Sequence, residues 1–196
     1  MDTAALMTDP AALKKRLAQI LVERSYMEGD FTLASGRKSD YYFDCRQTSL
    51  HPEGAWCIGS LFNGMLADLD VKAVAGMTMG ADPLISAASV VSHILGRRPL
   101  AGLIVRKSVK DHGTGRYIEG LANVQAGDRV AMLEDVVSTG GSVLQACERV
   151  RDAGLEVAVI CCVLDRGEGG REKLLEAGYQ VRSIFTRPEL VSLARA

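Results

Sequence analysis

Apolar residues recur along the 196-residue chain at two spacings, and the change from one to the other marks the elements. Leu13, Leu17, Ile20 and Leu21 fall on one face of a helix that begins near Pro10, with Asp9 as its N-cap and the proline at its first position. From Phe31 to Asp44 the pattern predicts two short strands around a Ser-Gly turn, and a helix follows over about 53–69. Beyond it, short apolar runs and helical periodicities alternate. Strands are predicted at 71–77, 100–106, 130–134, 157–165 and 181–185, and helices at 83–95, 141–153 and 172–177, before a helical tail. Near-continuous apolar strands separated by helices imply an α/β fold, a parallel sheet covered on both faces. Ligands of such sheets bind beyond the carboxyl ends of the strands. That rule gathers the loops 76–82, 106–120, 134–142 and 165–170 at one edge.

Composition narrows the class. With 47% hydrophobic and 24% charged residues the chain suits one soluble domain with a well-buried core. A net charge of −1 argues against a nucleic-acid binder that works through bulk positive field. The longest wholly apolar run, 157–164, has eight residues against the roughly 20 of a membrane span. Asp2 and Asp9 replace the basic start of a signal peptide. The five cysteines form no C-x-x-C, and Cys161 and Cys162, neighbours in a strand, should face opposite sides of the sheet. Buried reduced thiols and a cytoplasmic protein are expected.

The chemistry concentrates in 130–142, Val-Ala-Met-Leu-Glu-Asp-Val-Val-Ser-Thr-Gly-Gly-Ser. A buried strand ends in two carboxylates, Glu134 and Asp135. Ser138, Thr139, Gly140, Gly141 and Ser142 then lead into a helix. Strand, turn and helix in this order aim free backbone N–H groups and the positive end of a helix dipole at an anion, and a phosphate fits. The acids would repel that phosphate, so they need another partner: a ribose diol, a developing positive charge or hydrated Mg²⁺. Phosphate, diol and incipient cation together describe transfer of a 5-phosphoribosyl group. A Walker A reading fails for want of Gly-Lys-Ser/Thr, and no G-x-G-x-x-G occurs.

Three further segments reach the same edge. Gly76-Met-Thr-Met-Gly-Ala-Asp-Pro83 is a second strand–turn–helix junction, with Asp82 expected to cap the helix. Arg106, Lys107, Lys110 and Arg116 put four fixed positive charges, with His112, into an 11-residue stretch, suiting a cationic lid over departing pyrophosphate. Arg166 ends the strand at 157–165, and its planar fork suits a carboxylate, with Asp165 as a possible orienting partner.

Residues 130–142, with hydrophobic run, acid pair, Thr-Gly-Gly and following Ser, resemble the fingerprint of the type I phosphoribosyltransferases. The 106–120 segment resembles the catalytic loop of orotate phosphoribosyltransferases, in Arg106-Lys107, Lys110-Asp111-His112 and Glu119-Gly120. The resemblance implies a type I phosphoribosyltransferase-like sheet flanked by helices in one domain, 1–196, with a small N-terminal hood formed mainly by about 1–50. It also implies transfer of the phosphoribosyl group from 5-phosphoribosyl 1-pyrophosphate to orotate, giving orotidine 5′-monophosphate and pyrophosphate in pyrimidine synthesis.

Residue roles follow from the same resemblance. Arg106, Lys107, Lys110 and His112 would contact the donor phosphates, and Lys107 would reach into the partner's site of a homodimer. Glu134 and Asp135 would hold the ribose hydroxyls, residues 138–142 the 5′-phosphate, with Val136 and Val137 also against the donor, and Ser138 and Arg166 the orotate. Catalysis would rest on Lys107, Lys110, His112 and Asp135. Mg²⁺ would travel with the donor rather than sit in a protein cage. The chain departs from relatives at Gly80 and Ala34, where many or some carry lysine. Tyr42 and Phe43 would either edge the pyrimidine or pack the hood. Two rivals remain: a purine phosphoribosyltransferase, disfavoured by Arg166 and the Lys-Asp-His lid, and a non-catalytic donor-sensing regulator that binds nucleic acid.

Overall fold

The computed structural model describes residues 9–32, 38–96, 98–108 and 117–195. The first helix, α1 (Pro10–Arg24), is capped as its sequence requires: the Asp9 carboxylate accepts the Ala11 amide at 2.9 Å, with proline in the first turn. Leu13, Leu17, Ile20 and Leu21 are all buried. Strands β1 (Tyr26–Thr32) and β2 (Lys38–Phe43) pair antiparallel as a separate two-stranded sheet. β1 thus starts five residues before the expected Phe31. Its alternation is masked because Met27, Glu28, Gly29 and Asp30 are all exposed. A short helix α2 (Arg46–Ser49) and then α3 (Pro52–Met65) follow, the latter with the His51 imidazole accepting the Gly54 amide at 3.4 Å.

The main sheet comprises β3 (Ala73–Met77), β4 (Ala101–Val105), β5 (Ile118–Glu119), β6 (Arg129–Val137), β7 (Glu156–Asp165) and β8 (Val181–Thr186), in the order β5-β4-β3-β6-β7-β8. Every pairing is parallel except that of the two-residue β5 with β4. Helices α4 (Asp82–Ile94), α5 (Gly141–Asp152), α6 (Gly170–Glu176) and α7 (Arg187–Arg195) complete the chain. Alternate side chains of each strand enter separate cores. Val74, Leu133 and Val159 join Leu17, Phe62 and Leu84 on one face, while Ala75, Met132 and Ile160 join Val143, Cys147 and Leu174 on the other. Cys161 and Cys162 divide between the two faces, and all five cysteines are buried free thiols. Burial pushes the Cys57 thiol up to about 11 and the Cys147 and Cys161 thiols up to about 12.

Strand order places the site. From β3 the chain steps outward to β4, then returns to lay β6 on β3's other side. The carboxyl ends of β3 and β6 therefore flank the switch point, where an open parallel sheet leaves a crevice.

Candidate active site

The crevice is a cleft of about 380 Å³ lined by residues from four connections, among them Thr78, Gly80, Lys107, Glu134, Asp135, Ser138, Ser142 and Arg166. Tyr42, Phe43 and Asp44 from the end of β2 form its remaining wall. Thus Glu134, Asp135, Val136, Ser138, Ser142 and Arg166 are brought together in one cleft, and Lys107, expected to reach a partner's site, lines the cleft of its own chain. Lys110, His112 and Ala34 lie outside the described residues.

The anion cradle is built from backbone. Gly140, at φ +74°, sits in the left-handed region as the N-cap of α5, with no side-chain cap and no acidic residue in the first turn. The first helical bond runs from the Leu144 amide to the Gly140 carbonyl at 3.1 Å. The amides of Gly141, Ser142 and Val143 precede it and have no intrahelical acceptor. Gly170 sets the cradle's position: a Cβ there would lie 2.5 Å from the Ser138 carbonyl oxygen and 2.9 Å from the Gly140 nitrogen. The start of α6 is therefore pressed against the turn, a close approach that only glycine allows.

The acid pair ends β6. Glu134 is buried at 8% exposure, and its Oε2 has no hydrogen-bond partner. Burial, and then the neighbouring charge of Asp135, hold its carboxyl well above the usual range. Asp135 accepts the amide of Val136 at 2.8 Å. A Cβ on Gly80 would lie 3.0 Å from the Asp135 carboxyl, so the turn after β3 packs directly over the acid, and a larger residue there would require that side chain to give way. That turn differs from expectation at Asp82. The cap position is Ala81, and Asp82 lies inside α4, where it accepts the Thr78 hydroxyl at 2.8 Å. The carboxylate braces the loop instead of capping the helix.

At the other wall Arg166 is held from three sides. Its Nε lies 2.7 Å from Glu168, its guanidinium stands 4.5 Å over the Tyr41 ring, and its terminal nitrogen donates to Ser39 Oγ at 3.4 Å. Its side chain is 7% exposed. Tyr41 is itself sandwiched, with Arg187 stacked 3.9 Å from its ring and fixed by Asp40 at 2.7 Å. Cation–π contacts contribute about 0.5–1 kcal/mol when exposed and about 2 when desolvated, so this stack ties the small sheet to the core. Asp165 does not orient the arginine. It accepts the Gly167 amide at 2.9 Å and shapes the turn, leaving Glu168 as the arginine's partner. Sequence offered no means of choosing between two acids flanking one arginine. Of the two aromatic candidates, Phe43 is buried in the core and Tyr42, 37% exposed, packs beside Phe31.

Arg106 is turned from the cleft toward Glu119, with its Nε 2.9 Å from the carboxylate. Among the described residues no group of three or more His, Cys, Asp or Glu could hold a metal. Glu134 and Asp135 are hard oxygen donors, and the unpartnered Glu134 Oε2 fits an ion shared with ligand phosphates, since Mg²⁺ takes one or two carboxylates and keeps its waters.

No protein-family model matches the chain. Curated relatives do. The chain is 45% identical over 182 residues to the orotate phosphoribosyltransferase of Sorangium cellulosum, covering 92% of this chain and 94% of that protein. It is 43% identical over 196 residues to that of Synechocystis sp., covering 100% and 98%. The chain belongs to the orotate phosphoribosyltransferase family. The crystal structure of Mycobacterium tuberculosis H37Rv orotate phosphoribosyltransferase matches at a TM-score of 0.77 and 37% identity, covering 91% of this chain and 98% of that one. The same enzyme in complex with 5-phospho-α-D-ribosyl 1-diphosphate matches at 0.74. Like these family members, the chain has an α/β fold with a mostly parallel sheet between helices.

Proposed function

We infer that this chain transfers the 5-phosphoribosyl group from 5-phosphoribosyl 1-pyrophosphate to orotate, giving orotidine 5′-monophosphate and pyrophosphate in pyrimidine biosynthesis. One observation carries the residue roles: a single cleft joins the uncapped start of α5, the acid pair of β6 and the fixed guanidinium of Arg166. The donor's 5′-phosphate lies against residues 138–142, and Glu134 and Asp135 accept hydrogen bonds from the ribose hydroxyls. Their negative charge steadies the sugar as the C1–O bond breaks and the electron pair leaves with pyrophosphate. Lys107, with Lys110 and His112 of the same segment, offsets the leaving group's charge, while Arg106 as it stands is engaged by Glu119. Arg166 grips the orotate carboxylate in two-point contact, with Ser138 beside it, and aims the ring nitrogen at C1. Glu134 and Asp135 would be the residues to meet a Mg²⁺ ion travelling with the donor, which would supply further charge neutralisation.

We read the chain as one phosphoribosyltransferase domain, with residues up to about 50 forming the hood, working in the cytoplasm as a homodimer; Lys107 lines the cleft of its own chain, which supports a role at that site in place of the partner's. The apolar groove of about 630 Å³ between α3 and α4 supports the dimer: Leu50, Val90 and Ile94 there are 73%, 57% and 64% exposed. No helix among the described residues is long and apolar enough to cross a membrane.

The test is loss of orotate absorbance on adding donor and Mg²⁺, run beside hypoxanthine, adenine and uracil. Turnover with orotate alone is expected. Product from a purine base would overturn the substrate assignment, and donor binding without pyrophosphate release would make the chain a sensor.

A further inference from the structure

Arg149, on the third turn of α5, makes a set of contacts that the reaction scheme above does not use. Its guanidinium donates to the carbonyl of Arg106 and, at 3.1 Å, to that of Lys107. It also stands 4.2 Å over the ring of Tyr117. Arg106 and Lys107 are where the chain leaves β4, and Tyr117 is where it re-enters the sheet, its carbonyl accepting the Arg106 amide at 2.8 Å as the first rung before β5. One side chain thus grips both roots of the cationic segment. Its planar fork is what lets it hold two adjacent carbonyls while its face lies on a ring, which a lysine ammonium cannot do. The same helix presents its N-terminus to the cleft at Gly141 and Ser142, and Arg149 lies eight residues on from Gly141, about 12 Å along the axis.

We propose that Arg149 is a positioning residue for Lys107: it fixes the backbone from which that lysine reaches the pyrophosphate end of the donor, and it references that backbone to the helix that holds the 5′-phosphate. The two anions of one substrate would then be gripped by groups built on a single rigid rod. This rests on the leaving-group role given to Lys107 above. Arg149 touches no reacting atom in the proposal; it acts through Lys107.

The experiment compares Arg149→Met, Arg149→Lys, Lys107→Ala and the Arg149→Met/Lys107→Ala double variant in the full chain. Steady-state kinetics in both directions would be read beside thermal unfolding. Misplacing a charge by about an ångström costs on the order of a hundredfold, so Arg149→Met should lower kcat by about ten- to a hundredfold and weaken pyrophosphate in the reverse reaction. The orotate KM should stay within about twofold, because Arg166 lies at the opposite wall. Arg149→Lys should recover little, and adding methylguanidinium to Arg149→Met should restore part of the rate. Because the two residues act as a unit, the double variant should be scarcely slower than Lys107→Ala. Wild-type pyrophosphate affinity in Arg149→Met, equal losses at the orotate and pyrophosphate ends, or additive losses in the double variant would overturn the positioning role. If Lys107→Ala itself turns over normally, the leaving-group assignment fails, separately from the clamp.

Discussion

Glu134 is a carboxyl whose fold and function pull in opposite directions. Buried beside Asp135 with one oxygen unpartnered, its carboxyl is pushed well above the ordinary carboxylate range. Between the unfolded and native values, the native state keeps a proton that the unfolded chain has released. The stability contributed by the neutral acid is complete below about pH 4, the unfolded value, and is lost as pH rises through the native one. Glu134→Gln removes that pH-dependent loss. The ligand-free variant should melt about 2–4 °C higher than the parent at pH 7, equivalent to ~1 kcal/mol, and no higher near pH 4. Calorimetry at the two pH values measures this, and equal melting temperatures at pH 7 would show that the fold does not hold the Glu134 carboxyl above its ordinary range. A ribose hydroxyl or a bound cation would stabilise the charged form, so the instability is tied to the ligand role proposed for this acid. Arg166 shows the opposite arrangement, with its charge countered in place by Glu168 and stacked on Tyr41.

Among the elements, α5 and the turn before it were the most legible in sequence. Apolar residues at helical spacing, preceded by hydroxyls and glycines at a strand's end, predict an open helix N-terminus, and the left-handed Gly140 delivers it. Gly170 was not legible. Its sequence context is that of any glycine-rich turn, and its importance comes from a residue 32 positions earlier, the Ser138 carbonyl against which it packs. Gly170→Ala should push the 138–140 turn outward, destabilising the protein by about 1–3 kcal/mol. The donor KM should rise by about tenfold while the orotate KM changes little. Denaturant unfolding and initial rates check both, and an unchanged donor KM would mean the cradle does not depend on this contact. The small sheet of β1 and β2 was read short for a related reason. Met27 to Asp30 are all exposed, so no period-2 burial marks them as strand.

Across the whole molecule, the switch point between β3 and β6 makes one cleft out of distant segments, and the exposed apolar groove between α3 and α4 offers a surface for a second copy. Ile94→Lys, at a position 64% exposed, should leave the protomer folded but shift light-scattering mass from dimer to monomer at micromolar concentration. A dimer of undiminished mass would place the interface elsewhere.

The α/β class, the order of the longer strands and helices, the placing of Cys161 and Cys162 on opposite faces, and an acid pair before a hydroxyl- and glycine-rich turn at 130–142 were all legible along the chain, whereas the two-residue antiparallel β5 and the short α2 were not. The legible features are local properties, because period, capping and turn residues act over a few positions. Long-range packing settles which carboxylate meets Arg166, turns Asp82 to bracing a loop instead of capping its helix, and makes Gly80 and Gly170 close-approach sites. It also brings Arg149 onto the roots of the cationic segment. Such pairings join residues far apart in the chain, and their partners are chosen by how the sheet brings loops together at its edge. No spacing along the sequence encodes that choice.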